Sequence, residues 1–181
     1  MSVLVIPSIL SRNNSLIRFK EFIIRPIASN DNAQIAEVIR SVLVEHNAAR
    51  QGTVYSDPTT DFLSDVFKEQ GSGYYVVEFN GRIVGGCGFF PTKGLPDGFV
   101  ELVKLYVLKE YRGHGLGKFL IELCSSEATK VGYKNLYLET MPELGKAIRL
   151  YEQSGFEMLE RSLGESGHFS CTIWANKSLK S

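Results

Sequence analysis

Glu101-Leu-Val-Lys-Leu-Tyr-Val107, then after four residues Arg112-Gly113-His114-Gly115-Leu116-Gly117-Lys118, is the stretch on which the reading of this sequence turns. The first half is an apolar run of strand type, and the second is rich in glycine. Beyond it Leu116, Phe119, Leu120, Leu123 and Cys124 recur at helical spacing, so the order is strand, glycine loop, helix. Such a junction puts several backbone N–H groups at a helix N-terminus with no bulky side chain in the way. The helix dipole and the free donors favour a diphosphate there, and glycines let its oxygens approach the main chain. Arg112 and Lys118 are placed to add charge at the rim. A turn whose glycines serve only the chain path is the competing reading of this segment alone.

Two other phosphate-binding patterns fail on detail. A P-loop needs Ser or Thr after Gly-Lys, and Gly117-Lys118 is followed by Phe119. A Rossmann fingerprint needs an early strand, and this loop sits mid-chain after a hairpin. Bulk charge offers no substitute: Lys plus Arg and Asp plus Glu stand at 20 each in 181 residues, for zero formal charge. The balance gives no basic field for nucleic acid, so an anionic ligand must be held by a local device.

Working outward, Phe22 to Ile27 reads as a strand stopped by Pro26. Residues 29–32 form a capping cluster ahead of a helix with Ile35, Val38, Ile39, Val42 and His46 on one face. Asp57-Pro58 is a second helix start, with Phe62, Leu63, Val66 and Phe67 as its expected buried stripe. Residues 74–79 and 82–90 are strands joined by Asn80-Gly81, a strong hairpin signal. Strands are also expected at 99–107 and 135–140, then a helix over 142–154 ended by Gly155, then strands at 156–161 and 168–175. The chain is predicted to be α/β: a single-domain mixed, mostly antiparallel sheet with helices on both faces. An apolar content of 44% and this length suit one domain. Residues 1–20 are expected to be a loosely attached extension and 21–181 the domain. Cys87, Cys124 and Cys171 are an odd, scattered set in apolar surroundings, read as buried reduced thiols and not as a disulfide or zinc site. With no secretory pattern and no apolar stretch of spanning length, the expected location is cytoplasmic, with no membrane partner and no metal.

From about Phe22 to Leu179 the chain resembles the GNAT superfamily of acetyl-CoA-dependent N-acyltransferases. Leu105-Tyr106-Val107, a gap of four, then Arg112-Gly-His-Gly115-Leu-Gly117 is similar to the family's Q/R-x-x-G-x-G/A motif. Ala147-Ile-Arg-Leu-Tyr151-Glu-Gln-Ser-Gly155-Phe156, after the strand Tyr137-Leu-Glu-Thr140, is similar to its second motif. Two departures stand out. Leu144 occupies the position of an asparagine that contacts pantetheine in many members, and Leu108-Lys109-Glu110 replaces a frequent proline.

The resemblance implies that strand 99–107 splays from strand 135–140, leaving backbone groups free to hold pantetheine, with a donor near Leu105 facing the thioester carbonyl. It implies acetyl-CoA as co-substrate, held by Leu105, Tyr106, Val107, Arg112, Gly113, His114, Gly115, Leu116, Gly117 and Lys118. It places Tyr151 near the coenzyme sulfur, where a phenol protonated at neutral pH can donate to a departing thiolate. Glu101 stands where some members carry a glutamate that deprotonates the amine through water, with Glu139 or a water chain as alternatives. The loop 162–167 borders the acceptor pocket in the family, so His168 beside it either contacts the acceptor or is a surface residue at a strand start, and the pocket walls are expected from residues 46–61 and 162–167. The implied reaction is direct attack of a neutral amine, and a non-catalytic acyl-CoA sensor is the rival reading. Small-molecule amines and peptide or protein amines both remain open as acceptors, as do monomer and homodimer.

Overall fold

The structure, a computed structural model, describes residues 16–179. Eight strands form one sheet in the order β1-β2-β3-β4-β5-β6-β8-β7. They are β1 (Ile17–Phe19), β2 (Phe22–Pro26), β3 (Gly73–Phe79), β4 (Arg82–Phe90), β5 (Phe99–Val107), β6 (Asn135–Thr140), β7 (Glu157–Leu159) and β8 (Ile173–Ser178). Every pairing is antiparallel except β5 with β6. Those two are joined by helix α3 (Leu116–Val131), because parallel neighbours need a crossover. Helices α1 (Asn32–Glu45), α2 (Leu63–Val66) and α4 (Gly145–Gln153) complete the fold.

The sheet is covered on both faces, as its sequence pattern predicts. On one side α1 lays Ile35, Ile39, Val42 and Leu43 on Tyr74, Val76, Ile83 and Tyr106. On the other, α3 packs Leu116, Leu120, Ile121 and Cys124 against Phe22, Ile24, Val77 and Val100. Alternate residues of β3 go to opposite cores, the signature of a strand buried on both faces. The β3–β4 hairpin turns where expected: Asn80 at φ 48° and Gly81 at φ 79° are both left-handed, as a tight two-residue turn requires.

Four expectations change. The fold starts before Glu21, since Ile17–Phe19 pairs with β2 as an edge strand; the rest of the expected extension, residues 1–15, lies outside the described residues. The segment after Asp57 is a 3-10 helix, Pro58–Phe62, and only Leu63–Val66 is α-helical. Asp57 does cap it, accepting the Thr59 N–H. Phe62 is turned out to 60% exposure while Thr60 and Leu63 are buried, so the expected stripe keeps Leu63, Val66 and Phe67 and loses Phe62. Third, residues 156–161 yield only the short β7. Fourth, β8 begins at Ile173 and not at residue 168, so His168 lies in the preceding loop.

One irregularity builds the site. Gly86 pairs with Tyr106 and Gly88 with Val103, so Cys87 alone opposes both Lys104 and Leu105. The extra residue on β5 is absorbed by Lys104, at φ 51° in the left-handed region. A bulge shifts the side-chain phase by one. Val100 and Leu102 before it, and Leu105 and Val107 after it, all join the α3-side core, and Lys104 is turned out of that core.

Candidate active site

The parallel pair β5–β6 is joined only at its start, with Phe99, Val100 and Glu101 opposite Asn135, Leu136 and Tyr137. Beyond Glu101 the strands part, and β6 continues against β8 through Thr140. A wedge therefore opens between Leu102–Val107 of β5 and the end of β6. One end of the wedge meets the N-terminus of α3, and the other enters a cleft of about 610 Å³.

At the α3 end, Gly113 and Gly115 have φ of 83° and 87°, and Gly115 is the helix N-cap with no side-chain cap bond. A Cβ at Gly113 would meet nothing within 4 Å, so the loop's outer surface is open. The first N–H bonded into the helix is that of Phe119, to the Gly115 carbonyl at 3.0 Å. The N–H groups of Leu116, Gly117 and Lys118 are left without intrahelical partners. This is the donor cluster an anion needs. Gly117 has a packing duty as well, since a Cβ there would come within 2.7 Å of Leu150 Cδ2 on α4.

The charged residues around this loop are arranged differently from the sequence expectation. Arg112 is engaged inward: its Nε donates to the Val107 carbonyl at 2.8 Å, and its two terminal nitrogens clasp Glu45 of α1 at 2.8 and 2.7 Å. It fastens the end of β5 to α1. Lys118 is exposed, with Glu122 3.9 Å away. A cation that sequence reasoning missed is Lys20, whose Nζ donates to the His114 carbonyl at 2.7 Å. The β1–β2 turn rests on the loop further through Glu21, 3.3 Å from His114 Nδ1, and through Phe19 on Phe119, ring centroids 4.4 Å apart. No local signal in residues 17–21 pointed to this.

In the cleft, Glu101 and Tyr151 come together with Tyr106, Glu139, His168 and Cys171. Glu101 is 4% exposed, and the Thr92 hydroxyl donates to its carboxyl. Burial, the largest influence, pushes Glu101 up to about 7, against the Thr92 bond that pulls it down. Tyr151 is buried on α4, edge-on to Phe156 at 5.8 Å. Among the described residues its hydroxyl has no hydrogen-bond partner, and burial raises its pKa further, so it is a committed proton donor at neutral pH. Glu139 accepts from the Tyr137 hydroxyl at 2.8 Å and from Ser166 Oγ at 2.6 Å. Burial pushes the Cys171 thiol up to about 12, which makes it a poor nucleophile. Among the described residues Thr140 Oγ1, on the β6 side, is buried without a partner.

Of the walls expected at 46–61 and 162–167, residues 51–54, 56–59 and 165–167 line the cleft, whereas Arg50 and Tyr55 do not. The two lining segments, 51–59 and 165–171 apart from Tyr55 and Ser170, are tied together where Ser170 N–H donates to the Gly52 carbonyl at 3.1 Å and Ser170 Oγ to the Gln51 carbonyl at 2.9 Å. Among the described residues no group of three or more His, Cys, Asp or Glu is placed to hold a metal ion, and no helix is long and apolar enough to cross a membrane.

A mixed sheet whose wedge joins a bare helix N-terminus to a buried Glu/Tyr cleft can seat an anionic ligand beside an acid–base pair. Comparison with known proteins specifies it. Residues 39–156 match the Acetyltransferase (GNAT) family. The chain is 40% identical over 152 residues to the uncharacterized N-acetyltransferase YjgM of Escherichia coli, covering 83% of this chain and 91% of that protein. A GNAT-family acetyltransferase from Staphylococcus aureus superposes with TM-score 0.77 at 21% identity, over 88% of this chain and 99% of that one. A phosphinothricin acetyltransferase from Sinorhizobium meliloti, solved with AcCoA, gives TM-score 0.69 at 20% identity, over 88% and 89%. The chain belongs to the GNAT acetyltransferase family and is an acyltransferase.

Proposed function

We propose that this protein transfers the acetyl group of acetyl-CoA to a primary amine by direct attack within the cleft. The observation that carries the reading is the wedge, which links the donor-rich N-terminus of α3 to the chamber holding Glu101 and Tyr151. The neighbour solved with AcCoA and the relative named as an N-acetyltransferase support it.

In this reading the N–H groups around Gly113–Lys118 take the diphosphate, with the loop seated by Arg112 below and Lys20 beside it. The free edge of β5 from Leu105 to Val107 holds the pantetheine arm by main-chain hydrogen bonds. Its unbonded N–H groups also face the thioester carbonyl, where stabilising developing negative charge has the largest catalytic return. An ammonium cannot attack, so the acceptor must lose a proton. Glu101, with a pKa near neutrality, is matched to taking it, directly or through water. Tyr151 returns a proton to the departing thiolate. The raised thiol pKa of Cys171 favours one-step transfer over an acyl-cysteine. The three buried free thiols suit a reducing cytoplasm.

The test is direct. Coenzyme A should raise the Tm, and acetyl-CoA should release thiol in the presence of an amine. Gly115→Asp should abolish the Tm shift, because it puts a carboxylate in the anion cradle and a Cβ at φ 87°. A folded Gly115→Asp protein that binds coenzyme A undiminished refutes the cradle.

A further inference from the structure

Three ionisable side chains in the cleft have no part in the reaction just described: Asp57, Lys104 and His168. Their placement is built into the fold. Asp57 caps the Pro58–Phe62 turn, its Oδ1 accepting the Thr59 N–H at 2.9 Å and the Thr59 hydroxyl at 2.7 Å. Its Oδ2 receives the Lys104 ammonium at 3.0 Å and lies 3.5 Å from His168 Nε2. Burial alone would raise the Asp57 pKa, but the His168 bond and the Lys104 charge outweigh it and hold the carboxyl well below the usual range. Lys104 reaches this point only through the β5 bulge, with its carbonyl fixed by the Tyr74 hydroxyl at 3.0 Å. Its side chain is 6% exposed.

Lys104 leaves the cluster with N–H donors to spare. Both Asp57 oxygens are engaged. Lys104 carries three N–H donors and, among the described residues, has Asp57 as its one hydrogen-bond partner. The second ring nitrogen of His168 has no partner among the described residues. Buried donors are matched in native complexes, so the complement of this corner is a group of acceptor oxygens.

The β5–β6 floor has the opposite character. Glu101 and Glu139 are engaged only by the hydroxyls of Thr92, Tyr137 and Ser166, and among the described residues neither has a cation partner. Carboxylates in excess on one wall and N–H donors in excess on another polarise the chamber. Phe67, Phe90, Leu102 and Met141 supply apolar lining, and the Ser170 bonds to Gln51 and Gly52 join two of the walls.

We infer that the acceptor is a small amine that also carries a carboxylate, an amino acid with an apolar side chain or a close relative. Its nitrogen lies toward Glu101 and Glu139, and its carboxylate accepts from Lys104. A polyamine would set a second cation against Lys104. The inference rests on the acetyltransferase reading.

The experiment is thiol-release kinetics of the full chain with acetyl-CoA on matched acceptors. L-phenylalanine is set against 2-phenylethylamine, L-methionine against 3-(methylthio)propylamine and γ-aminobutyrate against butylamine, with spermidine and a lysine-containing peptide alongside. At least one carboxylate-bearing member should exceed its partner about tenfold or more in kcat/KM, mostly through KM, as a charge-assisted contact predicts. Lys104→Met should shrink that ratio toward one. Because it strands the Asp57 charge, Lys104→Met/Asp57→Asn is made in parallel, and wild-type inhibition by 3-phenylpropionate is compared with that by 3-phenylpropanamide, the acid expected to be the stronger. Equal or better turnover of the carboxylate-free amines, of spermidine or of the peptide overturns the inference and leaves the acetyltransferase reading standing. No thiol release with any amine, together with no Tm shift from coenzyme A, overturns both.

Discussion

Glu101→Gln separates the proton-transfer role of this carboxyl from its structural one. In the folded protein Glu101 is 4% exposed and holds its proton up to about pH 7, whereas the ordinary value is 4.5. That difference corresponds to roughly 3 kcal/mol, the cost of ionising the group in its buried position. The folded state binds the extra proton, so this contribution to stability is complete below pH 4.5 and is lost as pH rises through 7. Gln is neutral at every pH. The variant should therefore resemble wild type near pH 5 and be the more stable near pH 9, by several degrees in Tm for a chain of this size. Activity should show the converse. With an acceptor of amine pKa near 10, wild-type kcat/KM should rise with pH and level off near 7, as the carboxylate forms and accepts the proton of a bound ammonium. The variant should lose that break and climb unbroken toward the pKa of the amine, at a rate about 10²-fold lower near neutrality. A break near 7 that survives in Glu101→Gln shows that another group is the base. A Tm difference independent of pH shows that Glu101 is not held protonated.

Tyr151→Phe keeps the ring against Phe156 and removes only the hydroxyl. It should cost at least about tenfold in kcat with coenzyme A affinity and Tm nearly unchanged, and unaltered turnover in a stable variant excludes Tyr151 as the acid. Arg112→Ala should lower Tm by a few degrees, because the Val107 carbonyl and Glu45 lose their shared partner; the partly exposed Glu45 pair contributes no more than about 1 kcal/mol of this. Calorimetry should find coenzyme A and a phosphate-free pantetheine thioester weakened alike, since the seating of β5 is what changes. A loss confined to the phosphate-bearing ligand would show that Arg112 leaves Glu45 to reach the diphosphate.

Periodicity and turn chemistry were sufficient to read most of the framework. Asn80-Gly81 admits hardly any connection but a tight hairpin, and the apolar repeats in α1 and α3 fix which faces are buried, because both depend on neighbours a few residues apart. The glycine loop was legible for the same reason: left-handed φ at Gly113 and Gly115 is a local need that residue type announces. The short Leu63–Val66 helix was misread because Asp57-Pro58 signals a helical start without saying whether the winding is 3-10 or α. The β5 bulge gave no signal at all. Lys104 is a residue type rarely found at positive φ, and only its register against Gly86 and Gly88 forces it there. That one added residue swings Lys104 out of the α3-side core to meet Asp57, 47 positions earlier in the chain. The docking of Lys20 on His114, across 94 positions, is of the same kind. Sequence alone determined most of the strands and helices and the glycine-rich turn that opens α3, since short-range sterics and hydrophobic period govern both. The charges that face one another in the cleft were decided by the tertiary structure, because strand register and loop docking are set by packing between distant parts of the chain.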